Sequence, residues 1–342
     1  MRNTAIFCFI ISIFFVSCNE KHTDLPPFSI LISTLPSQNE DMLFNINIPK
    51  NNVPNNLEII YQTLKSDTVN ILQYDKNKNL IFKYYRNYSG EIKKSNSLIM
   101  SEGNVYSGNK LVRTFYFHSN VGFQEIEYNY NGSNIIDVKS YYKGCNLKQC
   151  LKNQKIKSYQ EMFQVFEKLN LKQNGICNFS IKRDFNGDEI KEFFESIETT
   201  KISDSTYLLY KVDDNRKLLR TEKVVNGKTS DKDTKYFLYD KADNLKKTYC
   251  LNSKSDTIKS TEYTYDGRRK IRIRKENNFE INRNEYYKNQ LIKEIFNDRD
   301  EKYTYVFIQE MDKMGFPLKI KTNVNNTETI YLLNNSYKFF KK

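Results

Sequence analysis

The sequence predicts a mainly β protein: an elongated, coiling antiparallel sheet of repeated β-hairpins with one inserted amphipathic helix. Three observations predict it. Short, alternating, Tyr-rich stretches end repeatedly at Asp or Asn, then give way to an aliphatic residue and a second alternating stretch. One segment only, near Tyr159 to Leu169, carries apolar residues at helical spacing. After residue 17, no apolar run approaches the roughly eighteen residues that a membrane-spanning helix needs.

Residues 1–17 come first. An apolar run begins at Ala5 behind a single basic residue, Arg2, and stops at Phe15-Val16-Ser17-Cys18. Its length suits the hydrophobic region of an export signal and is too short to cross a bilayer. The stretch resembles bacterial lipoprotein signal peptides, which end in an aliphatic position and small residues before the Cys that becomes the new N-terminus. Phe15 departs from the usual Leu. The resemblance implies acylation of Cys18, and several acyl chains at ~0.8 kcal/mol per buried CH₂ would hold a domain on a membrane almost irreversibly. It also implies sorting to the outer membrane of a Gram-negative envelope, because Asn19 stands where Asp would favour inner-membrane retention. Residues 18–27 then read as acylated Cys and polar tether, closing on Pro26-Pro27.

Composition narrows the partners. The formal charge is +13, and +12 once Arg2 leaves with the signal. Clustered Lys and Arg would attract acidic glycan or lipopolysaccharide, while the same charge spread evenly serves solubility. An envelope protein is the other candidate partner, and the export signal sets nucleic acid aside. Of six cysteines, Cys145, Cys150, Cys177 and Cys250 remain in the mature domain. An exported chain allows disulfides, and the short loop from Cys145 to Cys150 is the first candidate pair, with thiols as the alternative. The two histidines are His22, in the tether, and His118, so no familiar zinc ligand set forms. Neither a metal nor a cofactor is expected.

From residue 28 the chain divides into an N-terminal β region with the first hairpins (28–145), a helical insertion (146–175) and a C-terminal hairpin region (176–342). The first copies are Tyr74-Asp75 with Leu80, Tyr106-Ser107 with Leu111, and Tyr130-Asn131 with Ile136. Later turns fall at 184, 213, 240, 266, 288 and 312, with a last one expected at Asn334-Asn335. Asp, Asn and Gly suit such turns by tolerating positive φ and bonding their own backbone. In the copy at 266, Tyr263 and Tyr265 are expected on an apolar face with Ile271 and Ile273, and Lys270, Arg272 and Arg274 on a charged one. A lone hairpin is unstable, so copies must add side by side.

These copies resemble the YD repeats of Rhs-type proteins and, more loosely, MORN-like repeats of bacterial exported proteins. The likeness covers most of residues 70–340 in degenerate form, as in Asp240-Lys241-Ala242-Asp243-Asn244-Leu245. It implies a coiling antiparallel sheet. No appended toxin domain accompanies it, so a toxin-enclosing role is not implied.

The insertion carries Ser158 and Glu161 in capping-box spacing, then Tyr159, Met162, Phe163, Phe166 and Leu169 on one stripe, with Gly175 beyond. A helix over 158–171 laid on the sheet follows.

Chemistry-bearing constellations are few. Arg268, Arg269, Lys270, Arg272 and Arg274 form a basic strip suited to phosphate or carboxylate oxygens, or simply a solvated face. Asp184, Asn186, Asp188 and Glu195 imitate a calcium loop, but Glu189 occupies the place of its Gly and Lys191 that of an apolar residue, so a hairpin turn is the better reading. His118 lies in the aromatic stretch Phe115-Tyr116-Phe117 and reads as structural. No residue is assigned a catalytic role. The expectation is a lipid-anchored binding or scaffold surface. A carboxylate-based hydrolase of envelope glycan and an immunity or inhibitor lipoprotein are the alternatives.

Overall fold

The computed structural model describes residues 50–87, 98–119, 122–132, 134–145, 156–196, 206–214, 217–229, 234–242, 244–251, 256–266, 269–276, 279–287, 290–297, 303–324 and 327–341. The export signal, Cys18, the tether and residues 28–49 lie outside them. The first strands are β1 (Leu57–Leu64), β2 (Asp67–Tyr74), β3 (Leu80–Asn87), β4 (Leu98–Ser107), β5 (Lys110–His118), β6 (Gly122–Asn131) and β7 (Asn134–Gly144). Helices α1 (Tyr159–Leu169) and α2 (Leu171–Asn174) follow, then β8 (Ile176–Asn186), β9 (Glu189–Ser196), β10 (Thr206–Val212) and β11 (Leu218–Val225). The remainder is the stub β12 (Lys228–Thr229), β13 (Lys235–Tyr239), β14 (Leu245–Leu251), β15 (Thr257–Asp266), β16 (Arg269–Glu276), β17 (Phe279–Tyr287), β18 (Gln290–Asn297), β19 (Tyr303–Met311), β20 (Pro317–Val324) and β21 (Thr327–Phe339).

All of these strands belong to one antiparallel sheet of repeated hairpins, as the alternating sequence requires. Each long strand pairs with its neighbours in sequence, β11 reaching β13 past the stub. β7 pairs with β8 across the helical insertion, so the sheet runs through it. The last strand returns to the first: β21 pairs with β1 from Leu57↔Phe339 to Leu64↔Leu333. The two halves of β21 divide the work: residues 327–332 pair with β20, and residues 333–339 with β1.

The turns explain the recurring Asp. Asp75 accepts at Oδ1 from the backbone N–H of Asn77 and Asn79, each at 2.8 Å, while its own N–H donates to the Asn79 carbonyl at 2.9 Å. The same five-residue loop recurs at Asp240, which accepts from Ala242 and Asn244, and at Asp312, which accepts from Met314 and Phe316. The same pair of i to i+4 bonds joins Asp213 and Lys217. These backbone donors hold the Asp240 carboxyl below its ordinary pKa.

The recurring Tyr does a different job. Tyr130 donates its hydroxyl to the Leu111 carbonyl at 2.7 Å, Tyr239 to Leu218 at 2.9 Å and Tyr265 to Leu245 at 2.8 Å. A longer bond of 3.4 Å joins Tyr106 to Leu80. In each case the acceptor is the first or second residue of the return strand of the preceding hairpin, so Asp shapes its own turn and Tyr fastens that turn to the one before.

Two expectations are corrected. In the hairpin of β15 and β16, Tyr263 stands opposite Arg272 and Tyr265 opposite Lys270, whereas Ile271 and Ile273 fall opposite Thr264 and Glu262. The expected division into one apolar and one charged face is therefore absent here. The cause is turn length. Other copies carry a bulge beside the turn that brings Tyr and aliphatic together, as in Tyr74↔Leu80 and Tyr239↔Leu245. This one runs directly from Tyr265↔Lys270 to Asp266↔Arg269 without a shift, and a one-residue slip exchanges faces. Second, no turn falls at Asn334-Asn335. These residues continue β21 opposite Thr63 and Gln62, and the chain turns instead between Val324 and Thr327. Asn335 is held in the sheet by hydrogen bonds with Gln62 at 3.0 Å and Asp312 at 2.7 Å.

The turn at Gly187-Asp188 is a two-residue hairpin with Asn186 opposite Glu189, and Gly187 supplies its φ of 59°. The calcium-like spacing thus serves a β-turn.

The helix forms as its cap and stripe predict. Ser158 Oγ accepts from the Glu161 N–H at 3.2 Å, and Glu161 reaches back to the Lys157 N–H at 2.9 Å. Asn170 adopts φ 44° and ends the helix. Met162 and Phe166 are fully buried against Phe82, Phe115, Phe117 and Phe123, where each such side chain contributes about 1.5–3 kcal/mol. Gly103 makes this approach possible, because a Cβ there would sit 3.0 Å from Met162 Sδ. Among the described residues no helix is long and apolar enough to cross a membrane.

Candidate functional site

The helix packs on one face of β3–β6, and the opposite face carries Lys83, Glu102, Asn104, Thr114, His118 and several tyrosines. Register places Lys83 opposite Glu102, Glu102 opposite Tyr116, and Tyr116 opposite Gln124, in one row across four strands. A neighbouring row runs from Asn104 through Thr114 to Ile126, with Tyr128 two residues on. Tyr85 and Met100 stand opposite each other, and Met100 faces His118. This juxtaposition was not singled out in the sequence. Its signal is the period-two series Glu102, Asn104 and Tyr106, Tyr116 and His118, and Tyr128 and Tyr130, whose common focus appears only when register is known.

A hydrogen-bonded chain crosses the site. Asn104 Nδ2 donates to Glu102 Oε1 at 2.8 Å and to the Leu80 carbonyl at 3.2 Å. Thr114 Oγ1 donates to Asn104 Oδ1 at 2.9 Å. Tyr85 donates to Met100 Sδ at 2.7 Å, and the Lys83 ammonium stands 5.5 Å from the Tyr85 ring centre. Lys83, Asn104, Thr114 and His118 are buried as a floor, while Tyr85, Glu102, Tyr106, Tyr116 and Tyr128 keep partial contact with solvent.

Enclosure and the Glu102 charge act together on these phenols. Burial first, then Glu102, pushes Tyr106 and Tyr128 up to about 12, and raises Tyr116 well above its ordinary value. Burial lowers Lys83, against the opposing pull of Glu102, and lowers His118 to about 4. The phenols thus remain neutral hydrogen-bonding groups, and His118 is a neutral imidazole at pH 7.

The other carboxylates in buried positions have charged or polar partners. Glu192 meets Arg183 at 2.8 Å and accepts from Tyr210 at 3.0 Å. Glu125 meets Arg113 at 2.6 Å. Among the described residues no three His, Cys, Asp or Glu side chains converge as a metal would require.

Of the positions marked in the sequence, Cys18, Arg268 and Cys150 lie outside the described residues. Arg269, Lys270, Arg272 and Arg274 lie on β16, in register with Tyr287, Tyr286, Asn284 and Asn282 of β17. Cys145 is disulfide-bonded, and Cys177 and Cys250 are thiols.

No protein-family model matches the chain, and no curated protein matches it as a relative. Among solved structures, it is similar to a porin-like protein from Bacteroides uniformis, at 9% identity and TM-score 0.34 over 75% of this chain and 96% of that one. A porin-like protein from Bacteroides vulgatus gives 12% identity and TM-score 0.19, over 82% and 98%. The TcdB2-TccC3 structure gives 9% identity and TM-score 0.29, over 79% of this chain and 15% of that chain. Scores of this size transfer neither function nor detailed topology.

Proposed function

We propose that the protein is a lipid-anchored envelope protein, fixed to an outer membrane through Cys18, whose hairpin sheet is a non-catalytic binding or scaffold surface. The observation that carries this reading is how the buried charged groups are used. Glu125, Glu192 and their arginines hold strands together, and His118 sits in the floor of the sheet. The paired Asp turns and Tyr ties support hairpin copies of the YD type, and Phe15 to Cys18 supports the anchor. The basic strip Arg268, Arg269, Lys270, Arg272 and Arg274 is the contact proposed for acidic glycan or lipopolysaccharide.

The test is titration of the full mature chain with hexagalacturonate and with lipopolysaccharide, beside a variant with Arg272→Glu and Arg274→Glu. Saturable binding that weakens at least tenfold in the variant supports the strip. Binding unmoved by charge reversal removes it, and turnover of either glycan would replace the non-catalytic reading with a hydrolase.

A further inference from the structure

The last strand overhangs the first. β1 ends at Leu64, opposite Leu333, while the run Thr327 to Leu332 of β21 lies beyond that point and is held on its other side by β20. Among the described residues no strand continues β1 alongside this run. In an antiparallel strand with one neighbour, alternate residues turn their backbone N–H and C=O groups away from that neighbour, so the run is an open sheet edge. Tyr331 packs with Leu64, Val69, Ile320 and Leu333 on one face of it, and Glu328 meets Lys321 at 2.7 Å. Ile330 and Leu332 fall on the opposite face from Tyr331 and are 53% and 64% exposed. The features that usually blunt an edge are missing: the run holds no Lys, Pro or Gly, and its ladder with β20 goes from Lys319↔Leu332 to Val324↔Thr327 without a bulge. Its Thr, Ile and Tyr are strong strand formers.

We infer that two copies of the chain pair through this edge, β21 against β21, in an antiparallel dimer that continues the sheet from one copy into the other. The occupant of an open edge has to be an extended strand, because only a strand satisfies the outward backbone groups in series. It must also be short, since Leu64 closes the edge at one end. The same run of a second copy has the right length and is already extended on β20, so it avoids the ordering cost that a disordered peptide would bear. It is its own complement as well. A two-fold axis at Ile330 sets the two Ile330 side chains directly opposite each other, with the Leu332 side chains beside them on the same face. That register uses residues 328–332 and leaves Leu64 with its own partner, Leu333. Each copy covers the edge of the other, so assembly closes at two. The contact is small, which places the dimer among weak, concentration-dependent interfaces.

Sedimentation equilibrium of the full mature chain across the micromolar to millimolar range tests this, with amide hydrogen exchange of Thr329 to Leu332 followed at each concentration. The expected result is a reversible monomer–dimer equilibrium in which protection of these amides rises with the dimer fraction. Ile330→Lys combined with Leu332→Lys should raise the dissociation constant tenfold or more and remove the concentration-dependent protection. Both side chains are largely exposed, so the fold tolerates the change, and an unaltered urea midpoint verifies it. Leu219→Lys with Leu238→Lys, exposed apolar residues of β11 and β13, leaves the dimer unchanged. A chain that stays monomeric throughout overturns the inference, as does a dimer that survives the Ile330 and Leu332 changes or is lost with those at Leu219 and Leu238. Protection of every amide from Thr329 to Leu332 already in the monomer overturns it too, because β20 alone protects alternate ones and another segment of the chain would then occupy the edge.

Discussion

The Tyr239 hydroxyl donates to the Leu218 carbonyl across 2.9 Å, joining a hairpin to the one before it through a contact 21 residues apart in sequence. The ring is half-buried, and burial pushes its pKa up to about 12, with Asp213 adding to the effect. Tyr239→Phe keeps the ring and removes the bond, and should cost about 1 kcal/mol. Tyr265→Phe, in the next copy, should cost a similar amount, since it removes the equivalent bond to Leu245. Urea unfolding of each variant checks this.

The turn Asp carries more bonds than the Tyr. Asp75 accepts from two backbone N–H groups and from the Asn79 amide at 2.8 Å, and Asn79 is buried. Asp75→Ala should therefore cost about 1–3 kcal/mol, and Asp75→Asn less, because one amide oxygen can still accept. Thermal melting of the two variants side by side gives the comparison.

Arg183 and Glu192 form an ion pair whose side chains are 2% and 3% exposed. Removing one member leaves a charge stranded, so Glu192→Ala should cost about 3–5 kcal/mol. The double change Arg183→Met with Glu192→Leu should recover most of that, since it removes both desolvation penalties. A stability cycle over the single and double variants measures the coupling.

Acid should destabilise the fold partly through His118. Burial lowers its pKa from 6.5 to about 4, so between those values the unfolded chain binds a proton that the folded chain does not. Its contribution is complete above pH 6.5 and is lost as pH falls toward 4, by on the order of 3 kcal/mol. His118→Asn should flatten this part of the curve. The difference between wild type and variant in urea midpoint from pH 7.5 to pH 4 isolates it from carboxylate titration.

Much of this architecture was readable from side-chain periodicity. The turns at Asp75, Asp240 and Asp312 announce themselves by chemistry confined to five residues, and the helix by its cap and by Met162 and Phe166. What stayed hidden depends on register between strands. Whether Ile271 joins Tyr265 or Thr264 turns on a single bulge beside the turn, which no local pattern specifies. The cluster around Glu102 depends on four strands in alignment, so its members look like ordinary alternating residues when read one strand at a time. Asn334-Asn335 misled for the converse reason: a dipeptide suited to turns is held straight by Gln62 and Asp312, residues far away in sequence.

Acylation of Cys18 is the most direct test of the functional reading. Cells expressing the wild-type chain or Cys18→Ala are grown with a clickable palmitate analogue, and the product is followed by label, size and membrane fractionation. The expected result is a labelled, signal-cleaved wild type in the outer-membrane fraction, and an unlabelled Cys18→Ala product of larger size that leaves that fraction. An unlabelled wild type, or identical size and fractionation for both chains, would contradict it.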